Sequence, residues 1–146
     1  MSAHNQRFAV SIHILTILAA SQDTSVTSEA MAVSVGTNPV VIRRVMSRLR
    51  QCRLVDSRPG ASGGWKLAKP PQQISLCQVL HASDTDPVFA MHDHPDADCY
   101  IGGKIHESLG KVFDRAENAL EASLAQFTIA DVLQDIINLQ EGSDEE

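Results

Sequence analysis

With 146 residues, 43% of them hydrophobic and only 4% aromatic, the chain can build one aliphatic core, or a small domain with a dimerisation appendage. A charged fraction of 21% excludes wholesale disorder, and no apolar run approaches the ~18 residues a spanning helix needs. Met1 to Arg7 lacks the charged lead and cleavage site of a secretory signal, and the three cysteines, Cys52, Cys77 and Cys99, are odd in number and far apart; together these predict a cytoplasmic protein with free thiols and no membrane contact.

In chain order, Arg7 to Ala20 is rich in Phe, Val, Ile and Leu and predicts a largely buried first helix, on which His13 is expected as a core histidine. Thr27, Ser28 and Glu29 are cap candidates for a short helix from Ala30 to Ser34, with Gly36 suited to the turn after it. Asn38 followed by Pro39 is a strong start signal for a helix running to about Cys52. Its spacing puts Ile42, Val45, Met46 and Leu49 on one face and Val40, Arg43, Arg44, Ser47 and Gln51 on the other. Leu54 to Ser57 and Trp65 to Ala68 read as two strands around a turn cluster from Arg58 to Gly64, and Pro70 and Pro71 stop the second strand. Ser75 caps a short helix from Leu76 to Ala82. Residues 83–104 form an irregular acidic segment with Asp84, Asp86, Asp93, Asp96 and Asp98, long enough to suggest a functional loop. Ile105, Leu109, Val112, Ala116, Leu120 and Leu124 then recur at four-and-three spacing, the seam of a long helix that needs a partner. Thr128 caps a last helix from Ile129 to Leu139, followed by an acidic tail.

The charge is segregated. Residues 38–69 hold eight bases against the single acid Asp56, whereas the rest of the chain is strongly acidic and brings the total to −6. A basic module inside an acidic chain predicts a local polyanion contact, with the surrounding acid limiting non-specific adhesion. Two helices joined by a short Gly-containing turn, the second basic on its outer face and followed by a hairpin, form a winged helix-turn-helix. The expected fold is therefore mostly α with a small β-wing, plus a long C-terminal dimerisation helix. The expected division is a DNA-binding domain at residues 1–82, an acidic sensor loop at 83–104, dimerisation helices at 105–140 and an acidic tail at 141–146.

A recognition helix puts its N-terminal residues in the major groove, so Thr37, Asn38, Pro39, Val40, Arg43, Arg44 and Ser47 are the candidates for base edges and flanking phosphates. Thr27 and Ser28 are placed to hold a phosphate at the preceding helix N-terminus. Arg58, Gly63, Trp65 and Lys66 belong to the wing, with Trp65 balanced between packing and DNA contact.

These motifs also carry a family resemblance. RPGASGGWKLAKPPQQISL, beginning at Arg58, resembles the wing signature of the Rrf2 family of bacterial winged-helix regulators; PVVIRRVMSRLR, beginning at Pro39, resembles its recognition helix, and TIADV, beginning at Thr128, the start of its C-terminal helix. The resemblance covers nearly the whole chain. It implies a homodimeric transcription factor, usually a repressor, whose long helices pair and whose wings flank an inverted-repeat operator in double-stranded DNA. The wing tip is one residue longer than the family's commonest Arg-Gly-x-Gly-Gly-Gly form.

Iron–sulfur members of that family hold their cluster with three loop cysteines and a further ligand. Here HDHPDADCYIGGKI, from His92 to Ile105, carries Cys99 alone, so a three-cysteine cluster is not expected, no cofactor is predicted, and the loop resembles the single-cysteine, YwnA-like branch. Cys99 lies just before the long helix, whose N-terminus favours a thiolate and oxidation, while the nearby aspartates oppose it. Cys77 and Cys52 read as core thiols. His81 and His106 flank the loop without a specific signal.

The leading expectation is a DNA-binding regulator modulated through the 83–104 loop, with Cys99 as candidate redox sensor. Two alternatives remain at this point: a metal- or cluster-responsive regulator using His92, His94 and Cys99, and a winged-helix protein-interaction module. No paired base or oxyanion-hole motif supports an enzyme.

Overall fold

The computed structural model describes residues 3–83 and 86–143. A helix apolar on every side must be covered on every side, and this sets the architecture around α1 (Ala3–Ala20). Against it lie α2 (Ser28–Val35), α3 (Pro39–Gln51), α4 (Leu76–Ser83), α6 (Ile129–Ser143) and the second strand of a hairpin made of β1 (Val55–Arg58) and β2 (Gly64–Leu67). Ile14, Leu15, Met31, Ile42, Met46, Leu49, Val55, Ile74, Val79 and Ile129 meet in one core at 0% exposure. Three buried hydroxyls donate to the carbonyl four residues back: Ser11 to Arg7 at 2.8 Å, Thr16 to Ile12 at 2.7 Å and Ser83 to Val79 at 2.6 Å. No buried polar side-chain atom among the described residues is left without a partner.

The helix starts follow from local capping. Thr27 Oγ1 accepts from Ala30 N at 3.1 Å and Asn38 Oδ1 from Val41 N at 3.1 Å. At α4, Ser75 and Gln78 cap each other (3.2 and 3.0 Å), and at α6 Thr128 and Asp131 do the same (3.2 and 2.9 Å). Of the three cap candidates ahead of α2, Thr27 does the capping, so the helix starts at Ser28 rather than Ala30. Helix α1 begins before Arg7, and α6 continues beyond Leu139 to Ser143.

The hairpin is antiparallel, with Val55 opposite Leu67 and Arg58 opposite Gly64. Both strands lie within a residue of their expected places. Val26 adds a bridge on the far side of β2, exchanging two backbone bonds with Trp65 (3.0 and 2.8 Å). Gly64 allows it: its φ is +151° and a Cβ there would stand 2.6 Å from the Val26 carbonyl oxygen.

The long helix α5 (Ile105–Leu124) contains no buried residue. The segment leading into it forms no helix or strand from Asp86 onward but is laid along α5: Phe89 stacks on Phe113 with centroids 5.3 Å apart, Phe89 N donates to Glu117 Oε1 at 3.2 Å, and His106 Nε2 donates to the His92 carbonyl at 2.9 Å. Asp84 and the last three residues of the acidic tail lie outside the described residues. Helix α6 then returns to the core, where Ile129 N donates to Ile74 O and Leu76 N to Phe127 O, both at 2.9 Å. No helix among the described residues is long and apolar enough to cross a membrane.

Three expectations are corrected. Cys52 is exposed rather than on the inner face, because it caps α3 beyond the last turn that presses on the core. Cys77 is half-buried rather than core, since it lies beside Glu121 of α5 while Val79 and Ala82 carry α4 into the core. His13 is exposed, not a core residue, and its Nε2 is hydrogen-bonded to Ser34 Oγ at 3.0 Å across the α1–α2 contact.

Candidate nucleic-acid interface

Helix α3 turns Ile42, Met46 and Leu49 into the core, with Val45 half-buried, and leaves Val40, Arg43, Arg44 and Ser47 exposed. Its N-terminal turn brings Thr37, Asn38 and Pro39 to the same end. Two exposed valines, Val40 at 53% and Val33 of α2 at 84%, accompany the cations. Val33 was not singled out from sequence; an apolar residue on the outward face of a short helix is the signal that was there to read.

Three of the four arginines of α3 divide between two neighbourhoods. Arg43 Nη2 pairs with Glu29 Oε1 at 2.7 Å, joining α3 to α2. Arg44 instead lines a cleft of about 410 Å³ between α1, α3 and α4, together with Arg7 and Arg48 over an apolar floor of Val41, Val45 and Ala82. Arg48 Nε also donates to the Ala82 carbonyl at 3.3 Å. Thus one guanidinium is held in place by a carboxylate, whereas three others gather where no acid lines the wall.

The wing is tied to α2 by a pair that sequence distance concealed. Trp65 Nε1 donates to Ser28 Oγ at 3.3 Å, with Ser28 buried and Trp65 half-buried against the core. Thr27 is engaged as the α2 cap, so the hydroxyls of both residues already have partners. Arg58 is exposed where β1 enters the wing tip, Gly63 N closes that tip onto the Gly60 carbonyl at 3.0 Å, and Lys66 stands half-buried opposite Asp56.

The second group of candidates surrounds Cys99. Its thiol is exposed and is held below its ordinary pKa by backbone N–H donors, first Gly102 and then Ile101. What opposes those amides is desolvation rather than the expected aspartates; Asp96 serves the turn, its Oδ1 accepting from Asp98 N at 2.9 Å and its carbonyl from Cys99 N at 3.3 Å. Gly102 packs so closely on the Asp96 carbonyl that a side chain has no room. Cys77 contrasts with Cys99: burial, and then the Glu121 carboxylate, push its thiol up.

His92, His94 and Cys99 are not gathered into a ligand group within the chain. The grouping of donors among the described residues is Cys77, His81 and Glu121, while the His92 ring packs edge-on against His106 at 5.1 Å. Cys52 closes α3, Cys77 sits on α4 and Cys99 in the turn before α5; these separated thiols do not fit a three-thiolate iron–sulfur cluster.

Residues 4–135 match the Rrf2 family, described as iron-dependent transcriptional regulator. Among its relatives is YwnA of Bacillus subtilis, named as an HTH-type transcriptional regulator, 40% identical over 130 residues that span 88% of this chain and 96% of that protein. A crystal structure described as a DNA-binding protein is 38% identical, with a TM-score of 0.70, over 87% of this chain and 98% of the other. A Lactobacillus plantarum protein, described as a transcriptional regulator, superposes with a TM-score of 0.77 at 26% identity, over 96% of this chain and 98% of the other. The winged-helix fold with a C-terminal helix, expected from sequence, is shared by these regulators.

Proposed function

The chain belongs to the Rrf2 family of transcriptional regulators, and from that premise we propose that it acts as a homodimeric, sequence-specific DNA-binding repressor. The observation that carries this reading is the α3 surface: a capped helix on a buried hydrophobic face, with Val40, Arg43, Arg44 and Ser47 exposed at the end that enters a major groove. Arg43 and Arg44 read guanine edges, at about 1–3 kcal/mol of discrimination for a bidentate pair, and Val40 meets a thymine methyl. Thr37, Asn38, Pro39 and Thr27 position flanking phosphates through the backbone at the helix starts. Ser28 and Trp65 serve by bracing the wing. Arg58, Gly63 and Lys66 meet the minor groove or its phosphates.

Residues 1–82 form the reading unit in this proposal, 83–104 the sensor loop and 105–140 the dimerisation helices. The seam of Ile105, Leu109, Val112, Ala116, Leu120 and Leu124 meets its copy across a two-fold axis. Two points support this: α5 buries none of its residues within the chain, and Val112 and Leu120 are 56% and 36% exposed. Cys99 is the sensor. The thiolate attacks the distal oxygen of a hydroperoxide and takes it with its hydrogen as the sulfenic acid; the O–O bond breaks, and the hydroxide or alkoxide that leaves is protonated by solvent. Because the loop lies along α5 through Phe89 and His92, that change reaches the helix that sets the spacing of two recognition helices.

The test is a fluorescence-anisotropy titration of duplex DNA from the gene's own upstream region, with reduced and mildly oxidised protein. Specific binding that changes on oxidation, and no longer changes in Cys99→Ser, is expected. Arg44→Ala relaxes sequence preference, whereas Lys66→Ala lowers the salt slope by about 1. Binding indifferent to oxidation removes Cys99 as the sensor. Absence of binding to any duplex at low salt replaces the regulator with a protein-interaction module.

A further inference from the structure

One cluster of reactive side chains plays no part in reading DNA. Cys77 and His81 stand four residues apart on α4 and share a helix face, and Glu121 reaches them from α5. A sulfur, a ring nitrogen and a carboxylate oxygen from the three lie within 4.8 Å of one another. His81 Nε2 and Glu121 Oε1 are already 2.8 Å apart. The side chains of His81 and Glu121 are 59% and 43% exposed, so solvent reaches the cluster from one side while Cys77 closes the other. A simple surface ion pair explains His81 and Glu121 but gives the adjacent thiol no role.

We propose that Cys77, His81 and Glu121 form a three-ligand site for a late first-row divalent cation of the zinc type, bridging α4 to α5. Thiolate, imidazole and carboxylate are the donors zinc takes, and sulfur with nitrogen disfavours magnesium and calcium. Bond lengths of about 2.0–2.3 Å place tetrahedral donors roughly 3.3–3.7 Å apart. The cation therefore enters by opening the His81–Glu121 hydrogen bond and drawing in the sulfur, which releases its proton to solvent. Water takes the fourth position on the open side, and three protein ligands make an exchangeable site rather than a closed structural one.

The placement gives the site a consequence. α4 is the last helix before the sensor loop and α5 the first after it, so a bound cation clamps together the two ends of that loop. Cation binding stands apart from the DNA-binding reading, but its effect on DNA rests on that reading.

The experiment is a cobalt(II) titration of the full-length, reduced protein. One equivalent per chain is expected, with a thiolate-to-cobalt charge-transfer band and tetrahedral d–d bands that zinc bleaches. The charge-transfer band is lost in Cys77→Ser and retained in Cys99→Ser. His81→Gln, a surface change whose fold is checked by circular dichroism, weakens zinc in competition with a chromophoric chelator by at least about tenfold, since even outer-shell losses cost that much. No band, or a band that survives Cys77→Ser or vanishes in Cys99→Ser, overturns the site. Zinc is then expected to shift DNA affinity in the wild type and not in His81→Gln; an unchanged affinity overturns the clamp. Loss of all DNA binding, with the cobalt bands intact, overturns the regulator reading alone.

Discussion

Residues 3–83 and residues 105–143 are both mainly helical, yet they dispose of their apolar side chains in opposite ways. The first part packs α1 to α4 and the hairpin around side chains at 0% exposure; from the second part Ile129 joins them, and Leu133 packs against them. In the second, a 20-residue helix has no fully buried residue, although Ile105, Leu109, Phe113, Ala116 and Leu124 are half-buried, while Val112, Phe127, Ile136, Ile137 and Leu139 are 42–64% exposed. Both parts obey the same rule, that an amphipathic helix must cover its apolar stripe. The first finds its cover within the chain; in the second, α6 is covered by α1, while the outer stripe of α5 is left for the partner copy proposed above. If the proposed dimer holds, the difference separates stability from assembly: the wing and α3 hold their shape from their own core, whereas the distance between two such units would be set through α5.

The comparison can be broken at its strongest point by truncating one residue on each side. Leu49→Ala removes a fully buried side chain and should cost about 2–5 kcal/mol in urea unfolding; Val112→Ala in dilute, monomeric protein should change stability by less than about 0.5 kcal/mol. Equal losses would mean that α5 is folded into the core. Next in size, Val112→Asp places a charge in the proposed seam, and sedimentation equilibrium should show the dimer weakened more than about tenfold, with the monomer's circular dichroism unchanged.

The thiols sharpen the same contrast on a smaller scale. The Cys99 pKa lies below the ordinary thiol value and that of Cys77 above it, so at pH 7.5 the thiolate fraction is larger at Cys99. Iodoacetamide should modify Cys99 several-fold faster than Cys77, followed by peptide mass spectrometry. Gly102→Ala, which intrudes on the Asp96 carbonyl and displaces a donor to the sulfur, should slow Cys99 toward the rate of an ordinary thiol. The smallest effect belongs to Glu29→Gln: the Arg43–Glu29 pair is 53% and 64% exposed, so its loss should cost no more than about 1 kcal/mol, while freeing Arg43 should raise DNA affinity at low salt.

Much of this is legible in the sequence. Asn38-Pro39, Thr27, Ser75 and Thr128 marked helix starts that the structure places within a residue or two, and the spacing of Ile42, Met46 and Leu49 identified the buried face of α3. The length of α5 and the four-and-three recurrence of its apolar residues were also legible. His13 and Cys52 were misread because an apolar neighbourhood in sequence says little about which way a side chain leaves its helix.

What the sequence determined by itself is whatever closes within a few residues: caps reach three positions along the chain, a helical face repeats every three or four, and the wing turns on Gly63 and Gly64, so neighbours alone decide them. The tertiary structure decided what depends on the path between distant segments. Ser28 meets Trp65 across 37 positions and His81 meets Glu121 across 40; Arg43 and Arg44, adjacent in sequence, face a carboxylate and a cationic cleft because helix α3 turns them toward different neighbours. A local pattern specifies which groups a segment presents, and only the packing of the elements on one another, most of them around α1, specifies what they meet.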